Sequence, residues 1–220
     1  VRRQGSCNLT LAGGNTPRDV YVRLGLGTIQ SQIKWDRVHL YWGDERTVPP
    51  DHPDSNYGMV KATLLSRIAI PDENVHRIRG EMAPREAAAE YAALLQEHFD
   101  NKPPRFDLVL LGLGGDGHTA SLFPTSRALE EQNRWVKAVF VPKFNTWRVT
   151  LTFPVLNNAR EVIFLVAGSE KAKIVQRVLD CAQPTMEMPA TLIRPHKGKL
   201  LWMLDAEAAA LIDPKKITTE

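Results

Sequence analysis

Two cysteines in 220 residues, Cys7 and Cys181, provide no disulfide framework and no metal-binding spacing. They read as reduced, mostly buried thiols of a cytosolic, cytoplasmic protein. No two histidines stand at metal-ligand spacing, so no metal is expected. No apolar run approaches the roughly 18 residues needed to cross a bilayer. The longest, such as 162–168, suit a buried strand, and no membrane partner is expected. No apolar stretch follows the opening residues 1–5, so they do not read as a signal peptide. The first residue is Val rather than Met, as in a sequence that begins inside a longer product. A Gly-x-Gly-x-x-Gly fingerprint, the Gly-Lys-Thr of a Walker loop and a Gly-x-Ser-x-Gly elbow are all missing. Excess charge is missing too: 28 Lys and Arg against 25 Asp and Glu leave a net charge of +3. Without a basic stripe, nucleic acid is not an expected partner.

What is present describes a globular domain. Hydrophobic residues make up 43% and charged residues 24%, and the 15 prolines and 14 glycines lie between apolar runs rather than in low-complexity tracts. A chain this long buries a full core without a disulfide or metal staple.

Strand-like and helix-like segments alternate. A short strand over 8–12 ends at Gly13-Gly14. A helix over 17–26 follows, with Thr16 as N-cap and Pro17 at the first helical position. An apolar strand over 38–42 runs into Gly43-Asp44-Glu45-Arg46. After a loop with Pro49, Pro50 and Pro53, helical spacing recurs at Leu64, Leu65 and Ile68. Ala88, Tyr91, Ala92, Leu95 and Phe99 mark the clearest helix, over 84–99. The run 106–113 is apolar enough for a strand buried on both faces, and a Gly-rich loop follows it. Strands are expected over 136–141, 149–153 and 161–167. A helix over 170–179, a strand over 200–204 and an Ala-rich helix over 206–212 close the chain. This alternation predicts an α/β fold around a mostly parallel sheet. It is read as one domain over 1–220, with a small irregular lobe around 47–80.

In open α/β sheets, ligands sit beyond the carboxyl ends of the strands. Four polar clusters fall there: Gly13-Gly14-Asn15-Thr16, Gly43-Asp44-Glu45-Arg46, Gly114-Gly115-Asp116-Gly117-His118-Thr119 and Gly168-Ser169-Glu170-Lys171. The first is a strand, a glycine turn and a helix start, where free N–H groups and a partial positive charge suit an anion. The alternative is an ordinary capped turn. In the third, His118 can act as a base near neutrality, with Asp116 to orient it. Arg46 offers a planar fork for phosphate or an oxyanion, and Lys171 a point charge. Arg148 is a further cation, while Asp44 and Glu45 can accept bonds from sugar hydroxyls. Together the clusters describe a pocket for a small, phosphorylated, hydroxylated substrate. Trp35, Trp42, Trp135, Trp147 and Trp202 read as core or rim packing, and His39, His52, His76, His98 and His196 as structural.

Five segments in order resemble the 6-phosphogluconolactonase family. They are Ala12-Gly13-Gly14-Asn15-Thr16-Pro17; Trp42-Gly43-Asp44-Glu45-Arg46 with Pro49 and Ser55-Asn56-Tyr57-Gly58-Met59; the stretch 107–124; Arg148-Val149-Thr150-Leu151-Thr152; and Gly168-Ser169-Glu170-Lys171-Ala172. The resemblance spans nearly the whole chain. It implies a Rossmann-like three-layer α/β/α fold, related to glucosamine-6-phosphate deaminase and ribose-5-phosphate isomerase. It implies hydrolysis of 6-phospho-D-glucono-1,5-lactone in the pentose phosphate pathway, without a cofactor, by a monomer or homodimer. His118 is then the general base, Asp116 its support, and Arg46 the group that stabilises the oxyanion or holds the substrate. Gly13, Gly14, Asn15, Thr16 and Lys171 would grip the phosphate, with Asp44 and Arg148 as further substrate contacts. The chain departs from the pattern in starting almost at the glycine turn, so the family's N-terminal helix is expected to be missing. Ala12 and Asn15 also stand where serines are common. A sugar-phosphate deaminase–isomerase would carry an acidic residue at position 123, where this chain has Phe123. A non-catalytic sensor would not need Asp116 and His118.

Overall fold

Short apolar runs rich in Val, Leu and Ile form the centre of the molecule, described by a computed structural model over residues 5–216. The strands are β1 (Cys7–Leu11), β2 (Val38–Trp42), β3 (Asp44–Arg46), β4 (Val75–His76), β5 (Leu108–Leu111), β6 (Val136–Val141), β7 (Thr146–Leu151), β8 (Glu161–Val166) and β9 (Lys199–Leu204). The helices are α1 (Asn15–Leu24), α2 (Gly27–Gln30), α3 (Asn56–Thr63), α4 (Pro84–His98), α5 (Phe153–Leu156) and α6 (Ala172–Leu179). Six strands make the main sheet in the order β4-β2-β1-β5-β8-β9, and each neighbouring pair is parallel. Helices flank it. β3, β7 and β6 form a second, antiparallel sheet.

Position in the sheet explains composition. β8 is covered on both faces, and every residue from Val162 to Val166 is buried. β9 lies at an edge and alternates between exposed and half-buried residues. One cluster of buried apolar side chains runs through the molecule. Residues 47–80 hold α3 and β4, and β4 pairs with β2, which joins this stretch to the main sheet.

The strand order fixes where a ligand fits. From β1 the chain moves toward β2 and β4; from β5 it moves the other way, toward β8 and β9. β1 and β5 are neighbours, so a crevice opens at their carboxyl ends. Two buried tyrosines pin that rim. The Tyr21 hydroxyl of α1 donates to the carbonyl of Ala12 and accepts from its N–H, both at 2.9 Å. The Tyr91 hydroxyl of α4 donates to the Trp42 carbonyl at 3.1 Å and accepts from its N–H at 3.0 Å. Burial pushes both phenols above their ordinary range, so they stay protonated donors. The glycines that follow, Gly13 and Gly43, therefore leave from fixed points.

Several expected boundaries change. α1 starts at Asn15 rather than Pro17, and its cap is Gly14 at φ 100°, with no side-chain bond. The left-handed backbone open to glycine makes the turn there, so Thr16 belongs to the first helical turn and caps nothing. The helix expected around Leu64–Ile68 lies earlier, as α3, where Ser55 caps it by accepting from the Gly58 N–H at 3.0 Å. Residues 65–67 form a 3-10 turn and Ile68 is extended. The segment over 170–179 opens with a 3-10 turn before α6. The run 206–212 is a series of turns rather than a helix. Only Ala208 of its alanines is fully buried, so the run lacks an apolar face to dock a helix. Cys7 and Cys181 are free and only partly buried. Among the described residues, no helix is long and apolar enough to cross a membrane. Residues 1–4, read above as no signal peptide, lie outside the described part.

Candidate active site

The crevice beyond β1 and β5 is a cleft of about 480 Å³. Gly13, Gly14, Asn15, Thr16, Asp44, Arg46, His118 and Lys171 all line it. Two expected residues stand behind that lining: Asp116, bonded to His118, and Arg148, beside Arg46. Residues more than 150 positions apart in the chain thus share one cavity.

His118 sits on the loop after β5. Its Nδ1 makes a very short hydrogen bond to Oδ1 of Asp116, and its backbone N–H donates to the same oxygen at 3.2 Å. That arrangement commits Nδ1 to the carboxylate and leaves Nε2 for another partner. Burial holds the imidazole below its ordinary pKa, against the upward pull of Asp116. For Asp116, burial works upward, but the bond to His118 and its charge prevail and lower the carboxyl to about 2. The ring of Phe123 stacks on the imidazole at 4.0 Å between centroids. The loop closes on itself: the Gly114 N–H donates to the His118 carbonyl at 2.8 Å.

β3 sets the opposite wall. Asp44 lines the cleft, yet both its oxygens are engaged. Ser121 Oγ donates to Oδ2 at 2.6 Å and Asn56 Nδ2 to Oδ1 at 3.3 Å. Glu45 corrects the expectation that it meets sugar hydroxyls. It is 2% exposed and its carboxylate accepts the backbone N–H groups of Arg46, Asn56 and Tyr57 at 2.8, 2.7 and 2.7 Å. Its role is to tie β3 to the start of α3. Burial pushes its pKa up to about 7 against those three donors.

Arg46 and Arg148 face one another in register across β3 and β7. The Nε atom of each is buried without a hydrogen-bond partner. One Arg46 terminal nitrogen donates to the Asp54 carbonyl. The Arg148 guanidinium lies 5.7 Å from the Phe144 ring centroid, and burial together with Arg46 lowers its pKa. Two adjacent guanidiniums repel one another, and an anion beside them would offset that repulsion. Lys171 reaches from the turn before α6 to donate to the Leu113 carbonyl at 2.9 Å, which brings its charge to the glycine loops. The N–H groups of Asn15 and Thr16 open α1 on the same side.

Sequence reasoning missed three contributors. Lys143 and Phe144, on the tip between β6 and β7, also line the cleft. The signal for that tip was a Pro142-x-x-Asn145 turn between apolar strands, with Asn145 left-handed at φ 46°. Asn56 was read only as a family motif position. Among the described residues, no group of three or more His, Cys, Asp or Glu side chains is placed to hold a metal ion.

The family model for glucosamine-6-phosphate isomerases and 6-phosphogluconolactonase matches residues 1–202. A 6-phosphogluconolactonase of Nostoc sp. is 40% identical over 214 residues, which is 96% of this chain and 86% of that protein. A solved 6-phosphogluconolactonase from Trypanosoma brucei superposes with a TM-score of 0.81 at 33% identity, over 96% of this chain and 88% of that one. A monomeric glucosamine-6-phosphate deaminase gives a TM-score of 0.77 at 19% identity, over 96% and 90% of the chains, a likeness of fold.

Proposed function

The chain belongs to the family of glucosamine-6-phosphate isomerases and 6-phosphogluconolactonases, and from that premise we infer that it hydrolyses 6-phospho-D-glucono-1,5-lactone to 6-phospho-D-gluconate in the pentose phosphate pathway. The observation that supports the mechanism is the shared cleft: an imidazole bonded to a carboxylate, with Arg46, Lys171 and the start of α1 lining the same cavity.

A δ-lactone is an activated ester, so its opening needs a base and an oxyanion donor. Nε2 of His118 takes a proton from water as the water oxygen bonds to C1. The carbonyl electrons move to the oxygen, which Arg46 stabilises. As the oxyanion collapses, the bond from C1 to the ring oxygen breaks, and the imidazolium returns the proton to the leaving alkoxide. Asp116 stays ionised and keeps Nδ1 protonated throughout. The phosphate lies at Gly13–Thr16 and Lys171, with Arg148 supplementing Arg46. Two free thiols and a phosphorylated sugar substrate favour a cytoplasmic setting.

The direct test is lactone hydrolysis in a pH-stat with spontaneous opening subtracted. Enzyme-dependent proton release is expected, and none would overturn the reading. Glucosamine 6-phosphate is expected to release no ammonia, because Phe123, stacked on His118, can neither give nor take a proton.

Lys171→Ala is expected to raise KM by roughly 10- to 100-fold with little change in kcat, the size of a lost charge-assisted bond. A fall in kcat at unchanged KM would contradict phosphate anchoring.

A further inference from the structure

The tip between β6 and β7 touches the His118 loop in two independent ways. Lys143 Nζ lies 3.2 Å from Oδ2 of Asp116, the oxygen that His118 does not use. Next to it, Phe144 meets Phe123 edge-on at 5.9 Å, and Phe123 stacks on the imidazole. One turn thus supplies an ammonium to the carboxylate and a phenyl group to the Phe123 ring that stacks on the imidazole.

We propose that Lys143 is a positioning residue for lactone hydrolysis: by holding the outer oxygen of Asp116, it keeps the inner oxygen on Nδ1 of His118 and aims Nε2 into the cleft. This rests on the reading of His118 as base. A carboxylate with two oxygens and one partner is free to rotate about its Cβ–Cγ bond; a second partner from another element fixes its plane. The Lys143 side chain is 60% exposed, and so open an ion pair contributes little to folding. Its effect should therefore appear in catalysis rather than in stability.

The pH dependence distinguishes this role. Three charged groups face His118: Asp116 from its own loop, Asp44 from β3 and Lys143 from the tip. Burial lowers the proton affinity of the imidazole most; the two carboxylates raise it and Lys143 lowers it. Without Lys143 the imidazole holds its proton to higher pH, and the acid limb of kcat moves upward.

The experiment measures kcat and KM against pH for wild type, Lys143→Met, Lys143→Arg and His118→Asn. Methionine keeps the apolar stem beside Phe144. Lys143→Met is expected to lose about tenfold in kcat, with its acid limb displaced to higher pH, and Lys143→Arg to restore both. An unmoved limb, a loss confined to KM, or no rescue by arginine would overturn the proposal. If His118→Asn turns over normally, the base reading itself falls. If His118→Asn is inactive while Lys143→Met matches wild type, only the role of Lys143 falls.

Discussion

His118→Asn is expected to lower kcat by about 10²–10⁴-fold, the range for losing a positioned general base, while the thermal midpoint barely moves. Asparagine is close in size, and its amide can still donate to Asp116, so the loop keeps its closure. It has no nitrogen that accepts a proton near neutrality. The pH profile gives the second readout. Burial holds the wild-type imidazole below its ordinary value, so the base form prevails at neutral pH. Wild-type kcat should climb along an acid limb centred below pH 6.5 and then level off. The variant should keep its residual rate without that limb, because the group that titrates is gone. Turnover near wild type, or a surviving limb, would remove His118 from the mechanism.

What the sequence revealed follows from where its interactions are local. The runs of β5 and β8 are apolar at nearly every position because both faces are covered, and such runs declare themselves without the fold. The polar clusters at strand ends were legible for the same reason: topology alone gathers them at the switch between β1 and β5. Glu45 was not legible. Flanked by Asp44 and Arg46, it reads as a surface charge, and it is buried because its partners Asn56 and Tyr57 arrive from a helix eleven and twelve residues away. For Lys143 the turn that carries it had a local mark but its contact did not, since its partner Asp116 is 27 positions distant. The alanines over 206–212 misled in the opposite direction. Their helix propensity is high, but Asp205 spends its carboxylate on the N–H groups of Ala208 and Gly168, at 2.7 and 3.0 Å. The Ala208 bond is the kind an N-cap makes, but the Gly168 bond fastens the turn to the loop after β8, and with only Ala208 fully buried the run has too little apolar face to dock a helix.

Gly114→Ala should be nearly as damaging as losing the base itself, although the added group is a single methyl with no acid or base chemistry of its own. A Cβ on Gly114 would overlap Nδ1 and Cε1 of His118 and crowd its Cγ at 2.7 Å. The backbone cannot step aside. The Gly114 N–H donates to the His118 carbonyl at 2.8 Å, and its carbonyl accepts from the Gly117 N–H at 2.9 Å. The imidazole must therefore turn, and turning breaks the bond from Nδ1 to Asp116. A misplacement of about 1 Å in a positioned group costs about 10² in rate, so kcat should fall about 100-fold while the protein remains folded. Gly115→Ala is the matched control. A Cβ there meets nothing within 4 Å, so the same methyl one residue along should leave the imidazole on Asp116 and cost far less in kcat. Crystal structures of both variants would show the ring displaced in the first and in place in the second. Wild-type kcat in Gly114→Ala, or equal losses in the two, would mean that the orientation of His118 by Asp116 does not limit the reaction.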